Sequence, residues 1–350
     1  MVVNRPCLTA VPFAAALAVA VVAASLSAAP ARAQGAARTV LAFVSNEVSH
    51  DVSVVDVGTR RVIATIPVGG RARGVQAAPG GRTIYVAVSD DAPTVESSAD
   101  AIVAIDVATL RVTARIEAGT DPEQLAVSVD GRKLFATNED AGTATAIDLR
   151  SRTTLSSAIV GIEPEGVAAS PDGKWVYVTA ETSNSVSMID AHTAKVVGNV
   201  LADVRPRAVA FSPDSRRAWV TAEIGGSLTV IDTRTRAVVA TIPLEHNAGK
   251  PVGVVVSRDG ARVFVANGAA GRVSVVDAKS LQVTQSIGVG SRPWGLGLSP
   301  NGDVLVSADG MSDQVSIIDT RTLAVIGRVP VGRRPWGVAL VETTRGRGQR

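Results

Sequence analysis

Seven aspartates set at nearly equal steps constrain this chain more than any other feature. Asp56, Asp106, Asp148, Asp190, Asp232, Asp277 and Asp319 each follow a valine or isoleucine, at successive spacings of 50, 42, 42, 42, 45 and 42 residues. The motif is clearest in Glu181–Asp190 and its copy Glu223–Asp232. A period in the forties, with each unit rich in short alternating strands, predicts propeller blades rather than a helical solenoid. Seven marks predict seven blades.

The unit from Glu165 to Leu201 resolves into four strands. Gly166–Ser170 reads as the first and Trp175–Thr179 as the second, alternating and rich in β-branched and aromatic residues. Between them Ser-Pro-Asp-Gly makes a tight turn: Pro171 presets φ, Asp172 caps the turn, and Gly173 accepts positive φ. Val186–Asp190 is the third strand and Lys195–Val200 the fourth. In every unit the repeated aspartate then has a structural task, ending strand three and accepting backbone N–H groups of the next turn.

The two ends show how the ring closes. Val40–Ser45 is a second-strand sequence, whereas Pro335–Val341 is a first-strand sequence that matches Pro293–Leu298. One blade should take its inner strand from the C-terminal end and three strands from the N-terminal end, leaving no open sheet edge. The predicted fold is an all-β, seven-bladed β-propeller over residues 39–342.

Residues 1–33 read as a secretory signal. Arg5 gives a basic start, Phe13–Ala24 an uncharged apolar run, and Ala31-Arg32-Ala33 a small-residue cleavage site. The apolar run is short of the roughly 20 residues a membrane span requires. A short lead over 34–38 and a basic, disordered tail over 343–350 complete the division. The expected location is periplasmic or secreted, without membrane insertion after cleavage. Cys7, the single cysteine, lies in the leader, so stability is expected from the core and not from a disulfide. The formal net charge of +3 is concentrated at the ends, with Arg5 and Arg32 in the leader and Arg345, Arg347 and Arg350 in the tail. The ring between them carries no basic excess, and a nucleic-acid partner is not expected.

Loops of such a blade alternate between two faces. Both departures from the 42-residue period fall on the face that carries the strand two-to-three and blade-to-blade loops: Asp90–Ala99 and Glu245–Lys250. Insertions gathered on one face mark it as the binding face. The blade-to-blade loops there present Arg71, Arg73, Asp121, Glu123, Glu163, Glu165, Arg205, Arg207, Lys250, Arg292, Trp294, Arg334 and Trp336. Glu47, Glu139, Glu181 and Glu223 each stand nine residues before a turn aspartate, in equivalent positions. Two compatible readings follow. The glutamates pair with neighbouring arginines across blades, or the set forms a polar funnel in which arginines grip a carboxylate and tryptophans supply flat apolar area. The candidate site residues are Arg71, Arg73, Glu123, Glu165, Glu181, Arg205, Arg207, Glu223, Arg292, Trp294, Arg334 and Trp336.

The repeats resemble the YVTN-type propeller repeat, whose consensus combines a strand like Trp175–Thr179 with Ser-Val-Ile-Asp and a following Thr-Ile-Pro-Val-Gly, here in Ala64-Thr-Ile-Pro-Val-Gly69. More closely, the chain resembles the propeller proteins associated with PQQ-dependent catabolism, in Asp121–Leu125, Val160–Gly166, Asp203–Arg207, Thr221–Gly226 and Arg334–Gly337. It departs from them in a longer Asp90–Ala99 insert and a shorter Glu245–Lys250 loop. The resemblance implies a periplasmic accessory of quinoprotein alcohol oxidation, with a quinoprotein dehydrogenase or associated protein as partner.

Enzymatic signals are sparse. The histidines His50, His192 and His246 do not make a metal motif, and neither a nucleophile elbow nor a Gly-rich phosphate loop occurs. No Cys-x-x-Cys-His is present, so covalently attached haem is not expected. The expectation is a non-enzymatic binder of a protein or small anion at the channel mouth, with no cofactor or metal. The alternative is a metal-dependent, lactonase-like hydrolase drawing oxygen ligands from Glu47, Asn138, Glu139, Glu181, Glu223, Asn267 and Asp309.

Overall fold

The computed structural model describes residues 38–90, 100–244 and 249–344. The leader, most of the Asp90–Ala99 insert, Glu245 to Ala248 of the second insert and the last six residues lie outside the described residues. Twenty-eight strands, β1 to β28 in chain order, form seven four-stranded antiparallel sheets, the blades of a seven-bladed propeller, without a helix among the described residues.

The representative blade comprises β12 (Pro164–Ala169), β13 (Trp175–Ala180), β14 (Ser185–Asp190) and β15 (Lys195–Leu201), within two residues of the expected bounds. All seven repeated aspartates cap the turn that follows strand three, as their spacing predicts. Asp190 Oδ1, for instance, accepts the Thr193 N–H at 2.7 Å, and Asp232 Oδ1 the Thr235 N–H at 2.7 Å. Backbone donation from Thr193 and Thr235 leads the effects that hold these two carboxyls below the usual range.

Closure is as expected. β28 (Pro335–Thr344) pairs antiparallel with β1 (Arg38–Asn46), which continues to β2 (Asp51–Asp56) and β3 (Arg61–Pro67). The pairing extends past the expected boundary at 342, because Thr343 and Thr344 lie opposite Thr39 and Arg38.

The core is the set of interfaces between neighbouring blades. Tyr177, Val186 and Met188 of one sheet, for example, pack against Val209, Phe211, Val220 and Ile231 of the next. At the axis the inner strands approach backbone to backbone. A Cβ on Gly166 would lie 2.3 Å from the Arg207 carbonyl oxygen, and one on Gly253 lies 2.4 Å from that of Trp294, so only glycine fits. This tight inner barrel sets the side chains that face the channel.

Candidate functional site

An equivalent residue near the start of each inner strand, the third of β4 and the second of the other six, contributes to a ring about the channel mouth. In blade order these residues are Arg73 on β4 (Arg71–Ala77), Glu123 on β8 (Pro122–Val127), Glu165 on β12, Arg207 on β16 (Pro206–Phe211), Val252 on β20 (Pro251–Val256), Trp294 on β24 (Pro293–Leu298) and Trp336 on β28. One arc is ionic and the other apolar. Immediately before six of these segments stand Asp121, Glu163, Arg205, Lys250, Arg292 and Arg334, all at φ between 46° and 60°. Left-handed backbone at non-glycine residues ahead of proline is disfavoured, and the packed inner barrel holds it.

Hydroxyls clamp the ionic arc. Thr137 Oγ1 donates to the Glu165 carbonyl at 2.8 Å, Thr179 to that of Arg207 at 2.9 Å, Thr221 to that of Val252 at 2.6 Å, and Ser45 to that of Arg73 at 2.5 Å. Each hydroxyl lies two residues before Glu139, Glu181, Glu223 or Glu47. A Thr/Ser-x-Glu segment at the end of a second strand therefore fixes the next blade's inner backbone and delivers a carboxylate beside it.

Those carboxylates meet arginines across blades, as the first reading expects. Arg207, only 6 % exposed, lies 3.0 Å from Glu165, contacts Glu181 closely and is 3.7 Å from Glu223. Arg205 Nε lies 2.7 Å from Glu181 and 3.3 Å from Glu223, and Arg292 reaches Glu223 at 3.6 Å. On the other side Arg73 contacts Glu123 and lies 3.3 Å from Glu47, while Arg71 lies 3.4 Å from Glu47. Burial opposes a charged Arg207, yet Glu165, Glu181 and Glu223 outweigh it and raise its pKa. Burial pushes Glu181 up to about 8 against the pull of Arg207, and Glu165 adds to the rise.

A cavity of about 560 Å³ opens at this mouth. Its walls include Arg205, Arg292, Arg334, Trp294, Trp336 and Met311, together with Glu47, Arg73, Glu139 and Glu165. Among the predicted residues, Arg71, Arg73, Glu123, Glu165, Glu181, Arg207 and Glu223 thus belong mainly to an internal ion network. Arg205, Arg292 and Arg334 are the accessible cations; no ion pair to Arg334 is seen among the described residues. The arginines also sit on Trp294, with the Arg292 guanidinium 4.6 Å and that of Arg207 5.1 Å from its ring centroid. Trp336 is more enclosed than expected, at 8 % exposure, and supports Trp294 from 6.3 Å. Met311, a wall residue exposed at 61 %, was not anticipated because no other blade has methionine at its position.

The residues of the hydrolase alternative do not converge. Asn138, Asn267 and Asp309 turn toward their own third strands, bonding Thr145 at 2.8 Å, Ser274 at 2.7 Å and Ser316 at 2.6 Å. Glu181 and Glu223 are engaged by arginines. A different trio, Asp121, Glu123 and Glu139, does come together.

The molecule is a seven-bladed propeller with a charged, tryptophan-floored cavity at one mouth. Two family models match parts of it: the cytochrome D1 heme domain over residues 94–222 and the seven-bladed β-propeller lactonase over residues 193–324. Each covers less than half of the chain. Similar folds occur in a Kuenenia stuttgartiensis hydrazine synthase chain (23 % identity, TM-score 0.70, covering 79 % of this chain and 92 % of that one). They occur also in a functionally unknown protein from Desulfotomaculum acetoxidans (17 %, TM-score 0.73, 86 % and 98 %). A putative 6-phosphogluconolactonase from Bacteroides uniformis is comparable (17 %, TM-score 0.72, 87 % and 99 %). No curated protein matches the chain. At these identities the likenesses show the fold.

Proposed function

We propose that this propeller is a binding protein whose mouth takes an anionic group, either a small carboxylate or an acidic loop of a partner protein. The observation that carries this reading is the grouping of Arg334, Arg292 and Arg205 with Trp294 at an open cavity, while the deeper Arg207 is paired with Glu165 and Glu181. Accessible guanidiniums beside a flat apolar surface suit a carboxylate attached to an apolar body. The leader-like residues 1–33 support a periplasmic or secreted setting. The YVTN-type repeats and the Asp203–Arg207 and Arg334–Gly337 segments support a role beside a PQQ-dependent alcohol-oxidation system, with a quinoprotein dehydrogenase or its associated proteins as partner. Titrating the protein with a panel of aromatic carboxylates tests the site. Tryptophan fluorescence should be quenched in the native protein and silent in Trp294→Phe. Equal quenching in both would place binding elsewhere.

A second reading, hydrolysis of a lactone, is supported by the partial match to the lactonase family over residues 193–324 and by the likeness to a putative 6-phosphogluconolactonase. Assaying 6-phosphogluconolactone and simple aliphatic lactones with and without divalent cations tests it. A rate no faster than spontaneous opening would exclude those substrates.

A further inference from the structure

At the same mouth, in the blade of β8, the geometry points to a cation site. Asp121 precedes β8, Glu123 lies on it, and Glu139 follows β9 (Lys133–Asn138) of the same blade. Pro122 is paired with Asn138 across the two strands, so the three acids flank one register point. Each brings a carboxylate oxygen within 4.8 Å of the other two. Asp121 and Glu123 are 2 % and 0 % exposed, so water does little to separate their charges.

The surrounding groups do not supply enough donors. Arg73 contacts one oxygen of Glu123 and divides itself with Glu47, and Arg71 comes only to 4.0 Å from Asp121. Glu123 Oε1 and Asp121 Oδ1 are buried without a hydrogen bond. Ser89, wholly buried on the neighbouring blade, faces Asp121, and its hydroxyl also forms no well-made hydrogen bond. Buried oxygens of this kind normally have a partner. Three buried oxygen atoms short of a well-made hydrogen bond, beside three converging carboxylates, form a set that a shared cation would satisfy.

We propose that Asp121, Glu123 and Glu139, assisted by the Ser89 hydroxyl, ligate a hard divalent cation, calcium in the first instance. The donors are all oxygen, the set that Ca²⁺, Mg²⁺ and Mn²⁺ prefer and that zinc and copper sites rarely use alone. The three oxygens all lie within 4.8 Å of one another, a span that ligands roughly 2.3–2.6 Å from a common Ca²⁺ can bridge. Glu139 is half-buried and lines the cavity, giving the ion a route in and leaving water on its open side. The site stands whether or not an anion binds at Trp294.

Chelator-stripped protein titrated with CaCl₂ by calorimetry, with melting followed in parallel, tests this. One Ca²⁺ per chain should bind and raise Tm. Glu139→Gln should retain the propeller's circular dichroism and weaken binding by at least about tenfold, the scale seen when partners of a metal site are removed. Asp121→Asn should do likewise, asparagine tolerating the left-handed backbone there (φ 46°). If Asp121→Asn fails to fold, the half-buried Glu139→Gln still decides the matter. Absence of heat and of any Tm change with Ca²⁺, Mg²⁺ or Mn²⁺ would overturn the proposal. So would undiminished binding in Glu139→Gln, or binding of Zn²⁺ alone.

Discussion

The Thr179 hydroxyl donates to the Arg207 carbonyl at 2.9 Å, while Glu181, two residues on from Thr179, holds the guanidinium of the same arginine. One short segment of one blade therefore fixes both ends of a residue in the next. The hydroxyl also accepts the Gly166 N–H at 2.8 Å, so it joins two inner strands. Thr179→Val keeps the shape and removes both bonds, leaving buried backbone groups without a partner. Loss of about 1–3 kcal/mol is expected. A urea-unfolding midpoint unchanged from the native protein would show that the clamp carries no load.

Arg207 and Arg334 should part company on mutation. Arg207→Ala leaves Glu165, Glu181 and Glu223 facing one another in a buried pocket, and a destabilisation of about 3–5 kcal/mol is expected. Arg334 is exposed, and Arg334→Ala should alter stability by no more than about 0.5 kcal/mol. Replacing the mouth arginines as a group is therefore not neutral for the fold, since Arg207 belongs to the scaffold. Thermal melts of the two variants check the contrast.

The acids of the mouth set the pH dependence. Burial raises Glu181 from 4.5 to about 8 and raises Asp121 and Glu139 as well. Between those values the folded protein holds more protons than the unfolded chain, so stability falls as pH rises from about 4.5 to about 8. Asp190, Asp232 and the other lowered turn aspartates act in the opposite sense. Their contribution is present above 3.8 and is lost as pH falls below it. Maximum stability is expected on the acid side of neutrality. Glu181→Gln should flatten the decline toward pH 8; an equally steep decline in that variant would exclude Glu181 as its source.

Removing Pro335 onward deletes the inner strand of the closing blade, uncovers β1 and breaks the ring. Such a chain should lose cooperative unfolding and aggregate. A truncated protein that melts as the native one does would contradict closure through β28.

Much of this architecture was legible in the residues. The Ile-Asp and Val-Asp marks located strand three in every blade because the aspartate's capping is local, as at Asp190 and Thr193. Closure followed from reading Val40–Ser45 as a second strand and Pro335–Val341 as a first. Equivalence of Glu47, Glu139, Glu181 and Glu223 came from their spacing, and their pairing with arginines was foreseen in kind. Which arginine each glutamate meets was not legible, because that depends on how blades are rotated about the axis. Trp336 looked as available as Trp294, yet it is buried beside that ring, a packing between blades that the repeat pattern does not reveal. Asp121, Glu123 and Glu139 were visible separately; their convergence depends on the register of β8 against β9.

The division of the mouth into an internal ion network and an accessible recognition surface is tested most directly by anion binding to Arg334→Ala. Native protein and variant are titrated with the aromatic carboxylate that quenches Trp294 most strongly. The account predicts matching melting temperatures and a loss of quenching in the variant. Undiminished affinity in an equally stable Arg334→Ala protein would contradict it.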